Sequence, residues 1–307
     1  MRLRSVELEL ADPGPSADFF ERVWGLVPAG TSGATRFFRG TGDHPYILSL
    51  TRAAEPAVQA ITFCGSEEEV GRLGKPDRSF DVPGGGRGLE VRGPEGQNYR
   101  FIVEMEKPEA LTGRDRPIQI THAVVNSTDV EASERFAVEK LGFKVSDRTG
   151  HMRFLRCNRK HHCVAYAHSQ FASLNHIAFE MQDVDAVMRG IGRLRDSGFE
   201  PVWGPGRHGP GNNVFGYFIG PHGGVIEYTA EVAEVDERYK VGSPEDWKWP
   251  PGRIDQWGVS AKDSARISAA EQLYRWRSGG TCISSAASAS TASRKFFPPL
   301  AASWEST

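Results

Sequence analysis

No run of this 307-residue chain reaches the roughly 18 consecutive apolar residues that a membrane-crossing helix needs. Met1-Arg2-Leu3-Arg4 leads into alternating Glu and Leu rather than an apolar signal core, so a cytoplasmic location and no membrane partner are expected. An excess of one charge is missing as well. Lys and Arg together number 37 against 39 Asp and Glu, a net charge of −2, which offers no basic footprint for nucleic acid. Cysteine is scarce: Cys64, Cys157, Cys163 and Cys282 lie far apart without a CxxC pair, which excludes a zinc ribbon and a disulfide framework and predicts reduced, mostly buried thiols. What is present is 39% hydrophobic residues, enough for a sizeable core, over a length suited to about two domains. The expected partner is therefore a small molecule.

The chain repeats itself. Residues 12–26, Asp-Pro-Gly-Pro-Ser-Ala-Asp-Phe-Phe-Glu-Arg-Val-Trp-Gly-Leu, keep the register of 129–143, Asp-Val-Glu-Ala-Ser-Glu-Arg-Phe-Ala-Val-Glu-Lys-Leu-Gly-Phe. Each segment reads as a helix that follows a short alternating strand (Val6–Leu10; Ile120–Val125), opens at an Asp or Ser cap and stops at Gly25 or Gly142. The closes match too: Gly93-Pro94-Glu95-Gly96 before Tyr99–Val103 parallels Gly220-Pro221-His222-Gly223 before Val225–Tyr228. Between them Ala60–Phe63 corresponds to His176–Phe179, and Val184, Val187, Met188, Ile191 and Leu194 carry helical spacing after Asp183.

The repeat unit is roughly 100 residues long. The fold class expected is α+β, with duplicated βαβββ modules, two to each domain-like half. Residues 1–107 form an N-terminal half without metal, 118–232 a metal-binding catalytic half, and 233–277 an extension packed on it with a helix around Ser264–Trp276. Polar 108–117 is the linker. Ser/Ala-rich 278–307 lacks either hydrophobic period and reads as a solvated tail.

Histidine is distributed unevenly: His44 stands alone early, and the other eight fall between His122 and His222. Three polar residues interrupt otherwise apolar strands, namely His122 in Ile-Thr-His-Ala-Val, His176 in Leu-Asn-His-Ile-Ala and Glu227 in Val-Ile-Glu-Tyr. Isolated buried charge is costly unless paired or bound to metal. Two imidazoles and a carboxylate converging on one face of a sheet make the 2-His-1-carboxylate arrangement of non-haem Fe(II) oxygenases, with positions left open for substrate and O2. The repeat supplies a control: Ser5, Ala60 and Arg100 stand at the matching places in the first half, so the fold does not require the three ligands. His161-His162, His208 and Tyr217 are further polar candidates, each compatible with a solvated loop or half-buried strand residue.

Taken together, about residues 1–277 resemble the type I extradiol ring-cleaving dioxygenases of the vicinal oxygen chelate superfamily, such as catechol 2,3-dioxygenases and 2,3-dihydroxybiphenyl 1,2-dioxygenases. The most specific part is the run from Gly206-Arg207-His208 through Gly216-Tyr217-Phe218 to Gly220-Pro221 and Glu227, where His208, Tyr217 and Glu227 fall at intervals of 9 and 10 residues. Gly216 departs from the bulky apolar residue usual there. The resemblance implies His122, His176 and Glu227 as metal ligands and His162 as the catalytic acid/base, with His161 the alternative. It further implies that His208 and Tyr217 take part in catalysis and bind the substrate diol. The cofactor implied is Fe(II), with Mn(II) as second choice; the partners are a small aromatic diol and O2, and a homo-oligomer is expected. Competing readings are a 4-hydroxyphenylpyruvate dioxygenase-like or glyoxalase-like enzyme and a metal-free aromatic-binding protein.

Overall fold

A strand whose polar positions are buried along with its apolar ones must lie between two neighbours, and both strands that open the repeat do. In the computed structural model, which describes residues 1–103 and 107–277, β1 (Arg2–Leu10) and β9 (Gln119–Ser127) are buried at every position after the first, Glu7 and Glu9 included. The Ser/Ala-rich segment 278–307 lies outside the described residues.

From β1 the chain runs through α1 (Pro13–Phe19), β2 (Val27–Ser32), β3 (Thr35–Arg39) and β4 (Leu48–Arg52). It then repeats the motif through β5 (Ala57–Gly65), α2 (Glu67–Gly71), β6 (Arg78–Ser79), β7 (Arg87–Arg92) and β8 (Asn98–Val103). β1 pairs parallel with β4 and antiparallel with β5, and β5 pairs parallel with β8, so the strand order is β2-β3-β4-β1-β5-β8-β7-β6. The second half retraces that path. β9, α3 (Val130–Glu139), β10 (Lys144–Arg148), β11 (Met152–Arg156) and β12 (Val164–His168) come first, then β13 (Ser173–Glu180), α4 (Val184–Asp196), β14 (Trp203–Arg207), β15 (Val214–Ile219) and β16 (Val225–Ala230). Its order is β10-β11-β12-β9-β13-β16-β15-β14. Each unit of roughly 100 residues thus holds two βαβββ modules, in the α+β class expected from the repeat.

The helix signals in the sequence are met. Asp12 caps α1 through the Gly14 N–H, Asp129 caps α3 through the Ala132 N–H, and Asp183 caps α4 through the Ala186 N–H. α1 continues as a π-helical turn over Phe20–Trp24 that stops at Gly25, at φ +91°, as the α3 segment stops near Gly142, at φ +70°. Two expectations need correction. Met188 is 43% exposed; the face α4 buries is Ala186, Val187, Gly190, Ile191 and Leu194, because Gly190 lies directly against the Tyr228 ring and turns Met188 outward. The helix expected over Ser264–Trp276 ends early: α5 spans Ser264–Ala270, and Arg275–Trp276 form β17, drawn straight by pairing with β5 and β13.

The halves share one core. Trp24 stacks on Tyr228 with ring centroids 3.7 Å apart, and the hydroxyls of Tyr99 and Tyr166 lie 2.8 Å apart. Cys64 and Cys163 are buried and Cys157 partly so, while Cys282 falls outside the described residues. Among the described residues no helix is long and apolar enough to cross a membrane.

Candidate active site

Strand register brings the three interrupting polar residues together. His122 on β9 lies opposite Ala178 on β13, and Ala178 lies beside Glu227 on β16. His176 precedes Ala178 by two residues and so shares its face of the sheet. The result is a buried cluster: His122 is 2%, His176 6% and Glu227 0% exposed, and one ligand-type atom from each lies within 4.8 Å of the others. Glu227 Oε2 is 3.3 Å from His122 Nε2 and 3.1 Å from His176 Nε2.

The donor set fits a divalent cation. Among the described residues, Glu227 Oε2 and His176 Nε2 are buried without a hydrogen-bond partner, which is costly for polar atoms unless a cation joins them. The surrounding shell already aims them. Asn175 Oδ1 is 2.6 Å from His176 Nδ1 and takes its hydrogen, leaving the Nε2 lone pair toward Glu227; Asn175 is itself held by a 2.8 Å bond to Asn126 Oδ1. Asn213 donates to Glu227 Oε1 at 3.3 Å and to Thr229 at 2.7 Å. Burial by itself would raise the Glu227 carboxyl; the His122 and His176 rings hold it well below the usual carboxylate range only when they turn N–H or positive charge toward it, a part that a cation plays when their Nε2 atoms are bare. Burial lowers His122, keeping its ring neutral and able to ligate.

The first half shows what the same fold does without these residues. Register equates Ser5 with His122, Ala60 with His176 and Arg100 with Glu227, as the repeat predicts. There Arg100 Nη1 lies 2.6 Å from Glu7 Oε2, and Glu7 Oε1 accepts from Tyr46 at 2.9 Å, Thr62 at 2.7 Å and Ser5 at 3.1 Å. An internal ion pair closes that place, with every oxygen satisfied.

Around the cluster stand the remaining residues singled out from the sequence. His162 lies beside His122, ring centroids 4.2 Å apart, while His161 sits behind it with its Nδ1 3.0 Å from His162 Nδ1. Burial, reinforced by His122 and His161, pulls His162 well below the ordinary histidine range, so its ring is neutral. The loop covering the pair must be glycine at Gly211: φ is +77°, and a Cβ there would come within 3.0 Å of His162 Cε1. On the other side, Tyr217 pairs with Glu227 across β15 and β16, and its hydroxyl is 2.9 Å from His208 Nε2. Trp203 stacks on Tyr217 and Phe215 on His208, fixing both. Burial brings His208 down to about 4, and burial together with Glu227 holds Tyr217 well above its ordinary value. At neutral pH the pair is an uncharged imidazole and a protonated phenol. Gly216, the departure from the usual bulky residue, packs against Ile191 of α4.

Asp147, Asn175, Asn213 and Trp203 escaped the sequence reading. Asn175 carried a usable signal, a second polar residue in the strand of His176; Asp147, between Ser146 and Arg148, carried none.

Known proteins resemble this chain as follows. Residues 119–228 match the family model described as Glyoxalase/Bleomycin resistance protein/Dioxygenase superfamily. A Mn(II)-bound glyoxalase from Novosphingobium aromaticivorans superposes with a TM-score of 0.79 at 33% identity, covering 86% of this chain and 93% of that one. Metapyrocatechase 2 of Cupriavidus necator is 28% identical over 204 residues, 66% of this chain; the match spans about half, 52%, of that protein's length. The manganese-dependent 2,3-dihydroxybiphenyl 1,2-dioxygenase of Geobacillus genomosp. 3 is 24% identical over 67% of this chain and 77% of its own length.

Proposed function

Because the chain belongs to the Glyoxalase/Bleomycin resistance protein/Dioxygenase superfamily, we propose that it is a metal-dependent extradiol dioxygenase. It takes a catecholic aromatic diol and O2 and opens the ring next to the diol, giving a semialdehyde or oxo-acid. The observation that carries this reading is the buried His122–His176–Glu227 cluster, two of its facing atoms unsatisfied, flanked by His162 on one side and the His208–Tyr217 pair on the other. Two relatives with ring-cleaving names, metapyrocatechase 2 and the dihydroxybiphenyl dioxygenase, support it.

His122, His176 and Glu227 would hold the ion. A divalent iron or manganese bound there would supply Lewis acidity and redox chemistry to a diol and O2. The protein side chains do the rest. Asn175 keeps the His176 lone pair aimed at the site. Tyr217 and His208 hydrogen-bond the diol oxygens and orient the ring. His162, neutral and buried against His122, takes the proton that a diol hydroxyl gives up and returns one as the ring opens. The stacked Trp203 and Phe215 hold Tyr217 and His208 in place. Fe(II) is the ion proposed; the manganese-dependent relative makes Mn(II) the competing choice. Cytoplasmic location and assembly as a homo-oligomer complete the proposal.

The test is anaerobic loading with Fe(II) or Mn(II), then O2 and a panel of catechols, with absorbance watched for yellow ring-opened product. His162→Ala is expected to keep the ion and lose about 10²–10⁴-fold in kcat. Loss of the ion in that variant overturns the assignment of His162. A second reading rests on the 33% identical glyoxalase: the same loaded protein would then isomerise a 2-oxoaldehyde–thiol adduct and leave catechols intact.

A further inference from the structure

Behind His162 lies a chain of buried titratable groups that the mechanism above does not use. His161 is fully buried; its Nε2 is 2.8 Å from Asp147 Oδ2 and its Nδ1 3.0 Å from His162 Nδ1. Asp147, also fully buried, meets only donors elsewhere among the described residues. The Gly242 N–H reaches Oδ1 at 2.7 Å, and the Tyr239 hydroxyl lies 3.2 Å from both oxygens. A backbone N–H can only donate, and Tyr239, pushed up to about 12 by burial and by Asp147, keeps its proton.

A carboxylate is an acceptor on every side, so His161 must present a hydrogen on Nε2. In a neutral ring that leaves Nδ1 bare, and a bare nitrogen 3.0 Å from His162 Nδ1 requires the hydrogen to sit on His162 Nδ1. The lone pair of His162 is then on Nε2, the ring nitrogen turned away from His161. Tyr239 and Gly242 come from the segment after β16. Backbone pairing of Arg148 N–H with the Gly242 carbonyl at 2.9 Å ties that segment to β10, which carries Asp147.

We infer that Asp147, acting through His161, is a positioning residue that holds His162 with its hydrogen on Nδ1 and its proton-accepting nitrogen, Nε2, on the substrate side, and that the extension serves to fix Asp147. This rests on the reading of His162 as the acid/base; the tautomer measurement that tests it does not.

Ring tautomers can be read directly by long-range 1H–15N spectra of full-length protein labelled at histidine, without metal and with diamagnetic Zn(II). The pattern expected is hydrogen on His161 Nε2 and on His162 Nδ1. Asp147→Asn, whose amide can turn a donor toward His161, is expected to mix or reverse that pattern. It should lower kcat for a catechol by about 10–100-fold, part of what a positioned acid/base supplies, with KM and metal affinity within about threefold of the parent. Tyr239→Phe, which leaves two donors on Asp147, is expected to keep the pattern and remain within about tenfold in kcat. Hydrogen on His162 Nε2 in the parent protein, or a doubly protonated His161, overturns the inference even where Asp147→Asn does not fold. A protein with the expected tautomers that cleaves no catechol upholds the inference and removes the proposed function; one that cleaves catechols with the opposite tautomer does the reverse.

Discussion

Glu227 and Arg100 occupy the same place in two copies of one fold, and the charge reversal between them decides what each copy can do. Arg100 brings its own counter-ion in Glu7 and closes the place with satisfied hydrogen bonds; Glu227 faces two imidazoles that leave polar atoms unsatisfied. His122, His176 and Glu227 were legible as a group because each is polar in an apolar strand and each has a nonligating counterpart. Asp147 was not: a lone carboxylate in a mixed sequence has no local mark, and only folding shows it to be fully buried. His222 gives a test at this scale. Its ring is buried, its Nδ1 has no partner among the described residues, and burial lowers it from an ordinary 6.5 to about 4. Between about pH 6.5 and 4 the unfolded chain therefore binds a proton that the folded one refuses, so stability falls as pH falls through that window. A gap of this size corresponds to about 3 kcal/mol. Denaturant titrations are expected to show that His222→Leu loses less stability than the parent between pH 7 and 4.5; parallel losses in the two proteins would remove His222 as the cause.

At the scale of elements, capped helices and short strands followed from local signals, while which side of a helix is buried did not. The spacing that placed Met188 on the apolar stripe of α4 is compatible with a stripe one step around the helix, and the large Tyr228 ring settles the choice by admitting only glycine beneath it. A Cβ at Gly190 would lie 2.8 Å from Tyr228 Cε2. Gly190→Ala is accordingly expected to destabilise the protein by about 1–3 kcal/mol through overpacking. Met188→Lys should change stability by no more than about 0.5 kcal/mol. Equilibrium unfolding of the two variants checks the orientation, and reversed magnitudes would mean the helix is rotated. The misjudged end of α5 has a related cause: Arg275 and Trp276 can sit in a helix, but pairing with two strands at once holds them extended.

Over the molecule as a whole, the halves are duplicated in sequence yet not independent in packing. Trp24 of the first half stacks on Tyr228 of the second, Arg193 donates to the Val23 carbonyl, and β17 pairs with a strand from each half. A shared core of this kind predicts one cooperative unfolding transition, with circular dichroism and tryptophan fluorescence coinciding. Two separated transitions would show that the halves fold as autonomous units.

The sequence by itself determined the duplication, the module type, the capped helices and the three residues that could hold a metal, because each is written in short-range pattern or in comparison of one half with the other. Tertiary structure alone decided that Gly190 rather than Met188 faces the sheet and that Asp147 closes a buried chain behind the site, and it put His162, which the resemblance had already preferred to His161, beside His122. Those outcomes depend on strand register and on which distant atoms arrive at hydrogen-bonding distance, and neither is encoded within any one stretch of chain.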